Sequence, residues 1–395
     1  LNRYPQFTTE IDGQRIHFLH VRSEQPDAKP LLITHGFPSS VAEFLQLIDP
    51  LVNPSEGQAF HVVAPSLPGY AFSTPLAATG WTMGRTARAW VELMRRLGYQ
   101  RYGVHGGDIG AGVSGVVAGL DGEHVIGMHV VTDPLTAANT ATFLPGMADR
   151  LDQNDPVDKL IVDRMNAFQT DGSGYLAIQN TRPQTIGYGL VDSPLLQLAW
   201  IAEKVHEWTD LPVDRDQLLT TVSLYWFTGS GATAAHTLYE QAHSSDWGAP
   251  PAVPQGFAVF GADETVRKLV PAPADAHWTE FPRGKHFPAM EAPTQLAADL
   301  QTLLAAADAG TVELDDAERA ELLKTKFGNA ELKEPDEVAE AVVHAMSSDK
   351  PKRRYMVTPD EEQARVTITA ALQRLLELNE DQPYSYDRNQ LVALL

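Results

Sequence analysis

Residues 101–120, RYGVHGGDIGAGVSGVVAGL, read as a short strand, a turn crowded with glycine and an apolar helix, with Asp108 at the tip of the turn. Gly106-Gly107-Asp108-Ile109-Gly110 has the form G-x-Nuc-x-G, in which small neighbours let the backbone bend sharply and hold one side chain exposed above a sheet edge. A carboxylate held there cannot perform serine-type acyl transfer. It can attack an electrophilic carbon and form an alkyl ester that water later cleaves. A rival reading uses the same residues. Gly110-Ala111-Gly112-Val113-Ser114-Gly115 matches the dinucleotide fingerprint G-x-G-x-x-G, and Asp133 follows about 20 residues on, where a ribose partner would stand. Against that reading, His105, two glycines and Asp108 interrupt the strand before the fingerprint, and a carboxylate there would repel a pyrophosphate.

A nucleophilic Asp108 needs an oxyanion hole, a base to activate water and an acid to orient the base. His35-Gly36-Phe37-Pro38 follows an apolar strand, so the backbone N–H of Phe37 can pair with that of Ile109 to bind a tetrahedral oxyanion. The plainer reading of this motif is a strand-ending turn. His286 lies past the last expected strand, between Gly284-Lys285 and Phe287-Pro288, and histidine as a residue type, with an unperturbed pKa of about 6.5, suits a general base. Asp263 ends the strand before it and can accept the second imidazole N–H, with Glu264 as the fallback. The order Asp108, Asp263, His286 is nucleophile, acid, base. The other histidines lack H-E-x-x-H or comparable spacing, so neither a metal nor a cofactor is expected.

The elements that must position these groups alternate. FTTEIDGQRIHFLHVR reads as two strands about the Asp12-Gly13 turn, LLITHG and AFHVVAPSL as strands buried on both faces, and VAEFLQLIDPLV as one helix capped by Ser39-Ser40. WTMGRTARAWVELMRRLGY is a helix stopping at Gly98, and VIGMHVVTD is a further strand. Strand and helix in turn make a doubly wound α/β core. The alternation breaks near Pro134 and resumes at Gln255, with aromatic-rich helical patterns between, an inserted helical cap. The division expected is core 1–135, cap 136–250, core 251–307 and a charge-rich α/β appendage 308–395. The appendage resembles the end of a short-chain dehydrogenase but lacks a Y-x-x-x-K pair, and reads as a packing or oligomerisation module.

The 395 residues carry a net charge of −21 and no cysteine. Nucleic acid and anionic membrane surfaces are therefore poor partners, and disulfides and thiol catalysis are excluded. No membrane span or leader is visible in the sequence, which sets a cytoplasmic expectation; the chain starts at Leu1 rather than methionine, which leaves room for an upstream segment.

Taken together, HGFP at Phe37, LPGYAFS from Leu67, GGDIG at Asp108, FGAD at Asp263 and GKHFPAMEAP at His286 resemble an epoxide hydrolase of the microsomal type, within the α/β-hydrolase superfamily. Two cap stretches are more diagnostic, GYLAIQNTRPQTIGYGLVDSP from Gly174 and TLYEQ from Thr237. The resemblance covers about residues 1–305. It implies that Tyr175 and Tyr239 reach from the cap to hydrogen-bond an epoxide oxygen, and that Asp108 forms an ester which His286 and water cleave to a vicinal diol. His35, Trp200 and Trp226 are expected to line the place of a small apolar substrate. Ile109 and Phe37 stand where the family often has tryptophan, and the helical arm usual in this type is not seen ahead of Leu1. A dehalogenase using the same aspartate, a nucleotide- or flavin-dependent oxidoreductase, and a non-catalytic receptor are the alternatives.

Overall fold

The computed structural model describes residues 1–306, apart from 145, 247, 249, 250, 252, 271, 274 and 275. The appendage expected at 308–395 lies outside the described residues. The chain enters its sheet as a hairpin: β1 (Gln6–Ile11) and β2 (Gln14–Val21) pair antiparallel about Asp12 and Gly13, whose φ angles of 53° and 73° suit a two-residue turn matched to strand twist. β2 pairs antiparallel with β4 (Phe60–Pro65). All later pairings are parallel, through β3 (Lys29–Thr34), β5 (Tyr102–Gly106), β6 (Val125–Thr132), β7 (Gln255–Phe260) and β8 (His277–Phe281). The order is β1-β2-β4-β3-β5-β6-β7-β8. Every residue of β3 and β4 is buried, as unbroken apolar strands covered on both faces must be.

Helices cover both faces. One core joins Trp90, Leu93 and Met94 of α2 (Met83–Arg96) to Val113 and Val117 of α3 (Ile109–Leu120); the other joins Ile48 and Leu51 of α1 (Ile48–Val52) to Leu296 and Leu300 of α13 (Pro293–Ala306). This is the α/β-hydrolase fold. Thr82 caps α2 by accepting from Arg85 N–H, and Gly98 at φ 83° follows its end. The single helix expected at VAEFLQLIDPLV is instead a 3-10 turn, Val41–Gln46, followed by α1. Ser40 does cap the turn, but Pro50 has no N–H to return to residue 46, so a new helix must start before it.

Between Thr132 and Gln255 the described residues form helices and no strand: α4 (Pro134–Ala141), α5 (Pro156–Ala167), α6 (Gly174–Thr181), α7 (Pro183–Asp192), α8 (Pro194–Glu207), α9 (Arg215–Thr228) and α10 (Ser230–Ala242). Asp133, Asp155 and Ser193 cap α4, α5 and α8, each directly before a proline at the first helical position, which needs no N–H partner. After β7 come α11 (Glu264–Leu269), β8 and the short α12 (Pro288–Glu291). No helix among the described residues is long and apolar enough to cross a membrane.

Candidate active site

Asp108 stands between β5 and α3 with φ 53° and ψ −126°, a conformation that a residue with a side chain adopts only when its surroundings impose it. The surroundings are glycine contacts. A Cβ on Gly110 would lie 1.9 Å from the Thr34 carbonyl oxygen, and one on Gly36 would lie 2.5 Å from Asp108 Cβ and Oδ1. The elbow can therefore press against the end of β3. There the backbone N–H of Phe37 donates to Asp108 Oδ1 at 2.8 Å. Ile109 opens α3 with its side chain buried in the core.

The glycines of the dinucleotide-like run lie within α3, where they serve close packing: Gly110 against Thr34, and Gly112 against the sulfur of Met83, which a Cβ would approach to 2.5 Å. None stands in a phosphate-binding turn. Asp133 is likewise not free for a ribose, since it caps α4.

His286 faces Asp108 across the sheet edge, with Nε2 3.8 Å from Oδ2. Its other nitrogen, Nδ1, is 2.9 Å from Thr136 Oγ1 and 3.8 Å from Asp133 Oδ2. The backbone is also fixed. The His286 N–H donates to the Trp208 carbonyl at 3.1 Å, and the two rings lie 4.9 Å apart. Glu291 ties the flanking chain to the cap, accepting from the N–H groups of Lys285 and Phe287 on one oxygen and of Asp210 and Leu211 on the other. Asp210 in turn binds the Arg283 guanidinium and the Gly284 N–H. His286 is thus held by the loop after α8 as much as by its own.

Sequence reasoning placed Asp263 behind His286; in the structure its hydrogen bonds go elsewhere. Asp263 caps α11, accepting from Thr265 N–H and hydroxyl, and its other oxygen takes the Arg164 guanidinium of α5 at 2.7 Å. Burial would raise its carboxyl, but the bonds from Arg164 and Thr265 hold it below the usual range. None of its bonds goes to His286. The physical reason is local: Asp-Glu-Thr opens a helix, and an aspartate there turns its oxygens to the helix N–H groups. Glu264, the fallback, is exposed in the first turn of α11.

Tyr175 of α6 stacks on Phe37 at 5.9 Å and meets Trp208 edge-on at 5.4 Å, so it lies over the oxyanion loop. Burial, with the Asp108 and Glu207 charges next, pushes its phenol well up, so it stays a proton donor. Tyr239 of α10 is half-buried with its ring stacked on His243 at 4.2 Å. His35 is likewise engaged elsewhere. Its Nδ1 donates to the Gly36 carbonyl and its Nε2 accepts from Leu67 N–H, so it braces the loop and has no nitrogen to offer a substrate. Burial pushes it down to about 4. Trp200 packs partly buried against the core, and Trp226 sits half-buried near the end of α9.

Trp208, Thr136, Asp133 and Tyr70 also stand around His286 and His35, where the sequence reading placed none of them. Tyr70, from the LPGY motif, is fully buried edge-on to His35, and its phenol is pushed well up by burial and then by the Asp108 charge. Pro38, Val205, Val213, Leu218 and Phe287 line an apolar crevice beside this loop.

A sheet of this order carrying an acidic residue on its elbow defines an α/β-hydrolase, and the family model of the alpha/beta hydrolase fold matches residues 29–182. The model of the epoxide hydrolase N terminus matches residues 1–44, from the hairpin into the loop of Phe37. A protein of Stigmatella aurantiaca assigned as an epoxide hydrolase is 41% identical over 322 residues, 76% of this chain and 70% of its own. Epoxide hydrolase 1 of Sus scrofa is 35% identical over 77% of this chain and 75% of its own. The Aspergillus niger epoxide hydrolase structure superposes with a TM-score of 0.62 at 34% identity, covering 78% of this chain and 80% of that one. The chain belongs to the epoxide hydrolase family.

Proposed function

We propose that this epoxide hydrolase opens a small apolar epoxide by attack of Asp108 Oδ2, and that water activated by His286 then releases a vicinal diol from the resulting ester. The observation that carries this is the unequal setting of the two carboxylate oxygens. Oδ1 is already bound by the Phe37 N–H, whereas Oδ2 faces the imidazole with no donor between them. Attack through Oδ2 leaves Oδ1 as the ester carbonyl oxygen, seated on the N–H that will stabilise it as an oxyanion. Ile109 N–H, next along the elbow, is the second donor in this reading.

During ring opening the epoxide oxygen takes up the electron pair of the breaking C–O bond and needs a proton. Tyr175 supplies it in this reading, with Tyr239 as its partner. In the second half, His286 Nε2 removes a proton from water, the hydroxide adds to Asp108 Cγ, and the tetrahedral intermediate collapses with cleavage of the Cγ–Oδ2 bond as the imidazolium returns its proton to the departing Oδ2, releasing the diol. That cleavage carries Oδ2 into the product. No cofactor enters any step. The apolar walls of Phe37, Trp208 and Phe287 suit an apolar substrate, and a cytoplasmic setting fits an acidic chain without cysteine. A dehalogenase would need a donor for the halide beside the nucleophile; the Ile109 side chain offers none.

Single turnover in heavy-oxygen water tests the reading. The first diol should carry an unlabelled oxygen from the enzyme, while Asp108 gains label; His286→Gln should alkylate and stall as the ester. Solvent label in the first-turnover diol would refute the covalent route.

A further inference from the structure

His286 hydrogen-bonds to no carboxylate through Nδ1, because the nearest carboxylate oxygen, Asp133 Oδ2, is 3.8 Å away, beyond hydrogen-bond reach. The hydroxyl of Thr136 lies between them. It contacts Nδ1 at 2.9 Å and donates to Asp133 Oδ2. Proton counting fixes the direction of both bonds. An ionised carboxylate only accepts, and a threonine hydroxyl has one proton to give. Once that proton is on the Asp133 side, Oγ1 can only accept from Nδ1–H, which leaves the Nε2 lone pair free toward Asp108. Asp133 is itself rigid: it is buried, and Oδ1 accepts from the N–H groups of Leu135 and Thr136 at 2.8 and 3.1 Å.

We propose that Thr136 and Asp133 are the positioning pair of His286, a hydroxyl relay that holds the Nδ1–H tautomer and transmits the stabilisation of a buried carboxylate to the imidazolium formed during ester hydrolysis. The role that chain order gave to Asp263 thus passes to the residue that follows β6. The proposal rests on the ester reading above. The relay is built from one helix start, since Asp133 caps α4 and Thr136 is its third residue, so the two move as a unit.

The charged groups around the imidazole are Asp108 at Nε2, Asp133 behind Thr136, and Glu291, which binds the N–H groups of Lys285 and Phe287; the Trp208 and Phe287 rings against it are uncharged. Replacing Asp133 by asparagine keeps an N-cap acceptor for α4. It also presents an N–H₂ group that can donate to Oγ1, turn the hydroxyl proton toward Nδ1 and impose the wrong tautomer.

The experiment is pre-steady-state: rapid-quench mass spectrometry of the Asp108 ester with a chromogenic aryl epoxide, alongside thermal melting of each variant. Thr136→Val and Asp133→Asn should form the ester at the parental rate and hydrolyse it on the order of 10²- to 10³-fold more slowly. Thr136→Ser should recover hydrolysis to within about fivefold of the parent. In Asp133→Asn the rise of hydrolysis with pH should move to lower pH, because the imidazolium loses a nearby negative charge. Merely structural damage would lower the melting temperature and slow both steps without moving that profile. Asp263→Asn is compared directly, and a larger hydrolysis defect there than in Asp133→Asn overturns the relay. Ester turnover at the parental rate in Thr136→Val overturns it as well. If His286→Gln accumulates no ester, the covalent reading fails and the relay falls with it.

Discussion

Acidification should unfold this chain through its buried histidines, and His35 is the one whose protonation reaches the site. Its Nε2 accepts from Leu67 N–H, so a protonated ring would set N–H against N–H with no space to turn. Burial holds it at about 4 against an ordinary 6.5, the Gly36 bond opposing weakly. A histidine depressed in the folded state contributes stability that is complete above pH 6.5 and is lost as the pH falls through 4; the size of this depression corresponds to about 3 kcal/mol. His17, pushed down to about 3 by burial and then by Arg15 and His35, acts with the same sign, as does His105, lowered by burial and then by His129. Glu43 opposes them. Burial raises its carboxyl to about 7, so its contribution is complete below the ordinary carboxylate range and is lost as the pH rises through 7. Near pH 5, three protons taken up on unfolding and one released leave two, a slope of roughly 2.7 kcal/mol per pH unit that flattens toward pH 6.5. Urea unfolding followed by tryptophan fluorescence at steps from about pH 7.5 to 4.5 measures it. His35→Gln keeps a donor and an acceptor that do not titrate, so its slope should be shallower by about 1.4 kcal/mol per pH unit. A flat parental profile, or an unchanged slope in His35→Gln, refutes the reasoning.

Tyr175→Phe keeps the stack on Phe37 and the edge contact with Trp208 but removes the phenol, so alkylation should slow by roughly 1–3 kcal/mol while hydrolysis of a formed ester changes little. Tyr239→Phe should act on the same step and the double variant far more severely; alkylation within about twofold of the parent in the double variant removes both phenols from the chemistry. Gly110→Ala would drive a methyl into the Thr34 carbonyl, and backbone on both sides cannot yield cheaply, so a loss of about 2–4 kcal/mol in urea unfolding and of the ester burst is expected. Parental activity in that variant would show that the elbow is not held by this contact.

What the sequence made legible is what short segments decide. Asp12-Gly13 forces the first hairpin, Pro134, Pro156 and Pro194 each start a cap helix behind a capping residue, and the apolar runs of β3 and β4 admit only a strand covered on both faces. The elbow belongs to the same class, since Gly106, Gly107 and Gly110 announce both the turn and its crowding. VAEFLQLIDPLV went astray for a local reason as well, because Pro50 was in view and its missing N–H splits the helix. Nothing in HGFP shows that both His35 imidazole nitrogens are spent on Gly36 and Leu67, the latter 32 residues away.

The acid shows where such reading stops. As sequence, VVTDP and VFGAD are alike: each follows a strand of the same sheet with an aspartate that caps the next helix. What else reaches them is what sets the two apart. Arg164, from α5 and 99 residues before Asp263, claims one of its oxygens, and Thr265 claims the other. Asp133 accepts from Leu135 and Thr136 at the start of its own helix, which begins Pro-Leu-Thr, so the third residue lifts a hydroxyl toward the sheet edge where the imidazole hangs. A cap arginine drawing one carboxylate away and a threonine extending the other are both long-range or three-residue accidents of side-chain direction. Neither leaves a periodic or compositional trace, so only the assembled geometry can rank the two aspartates.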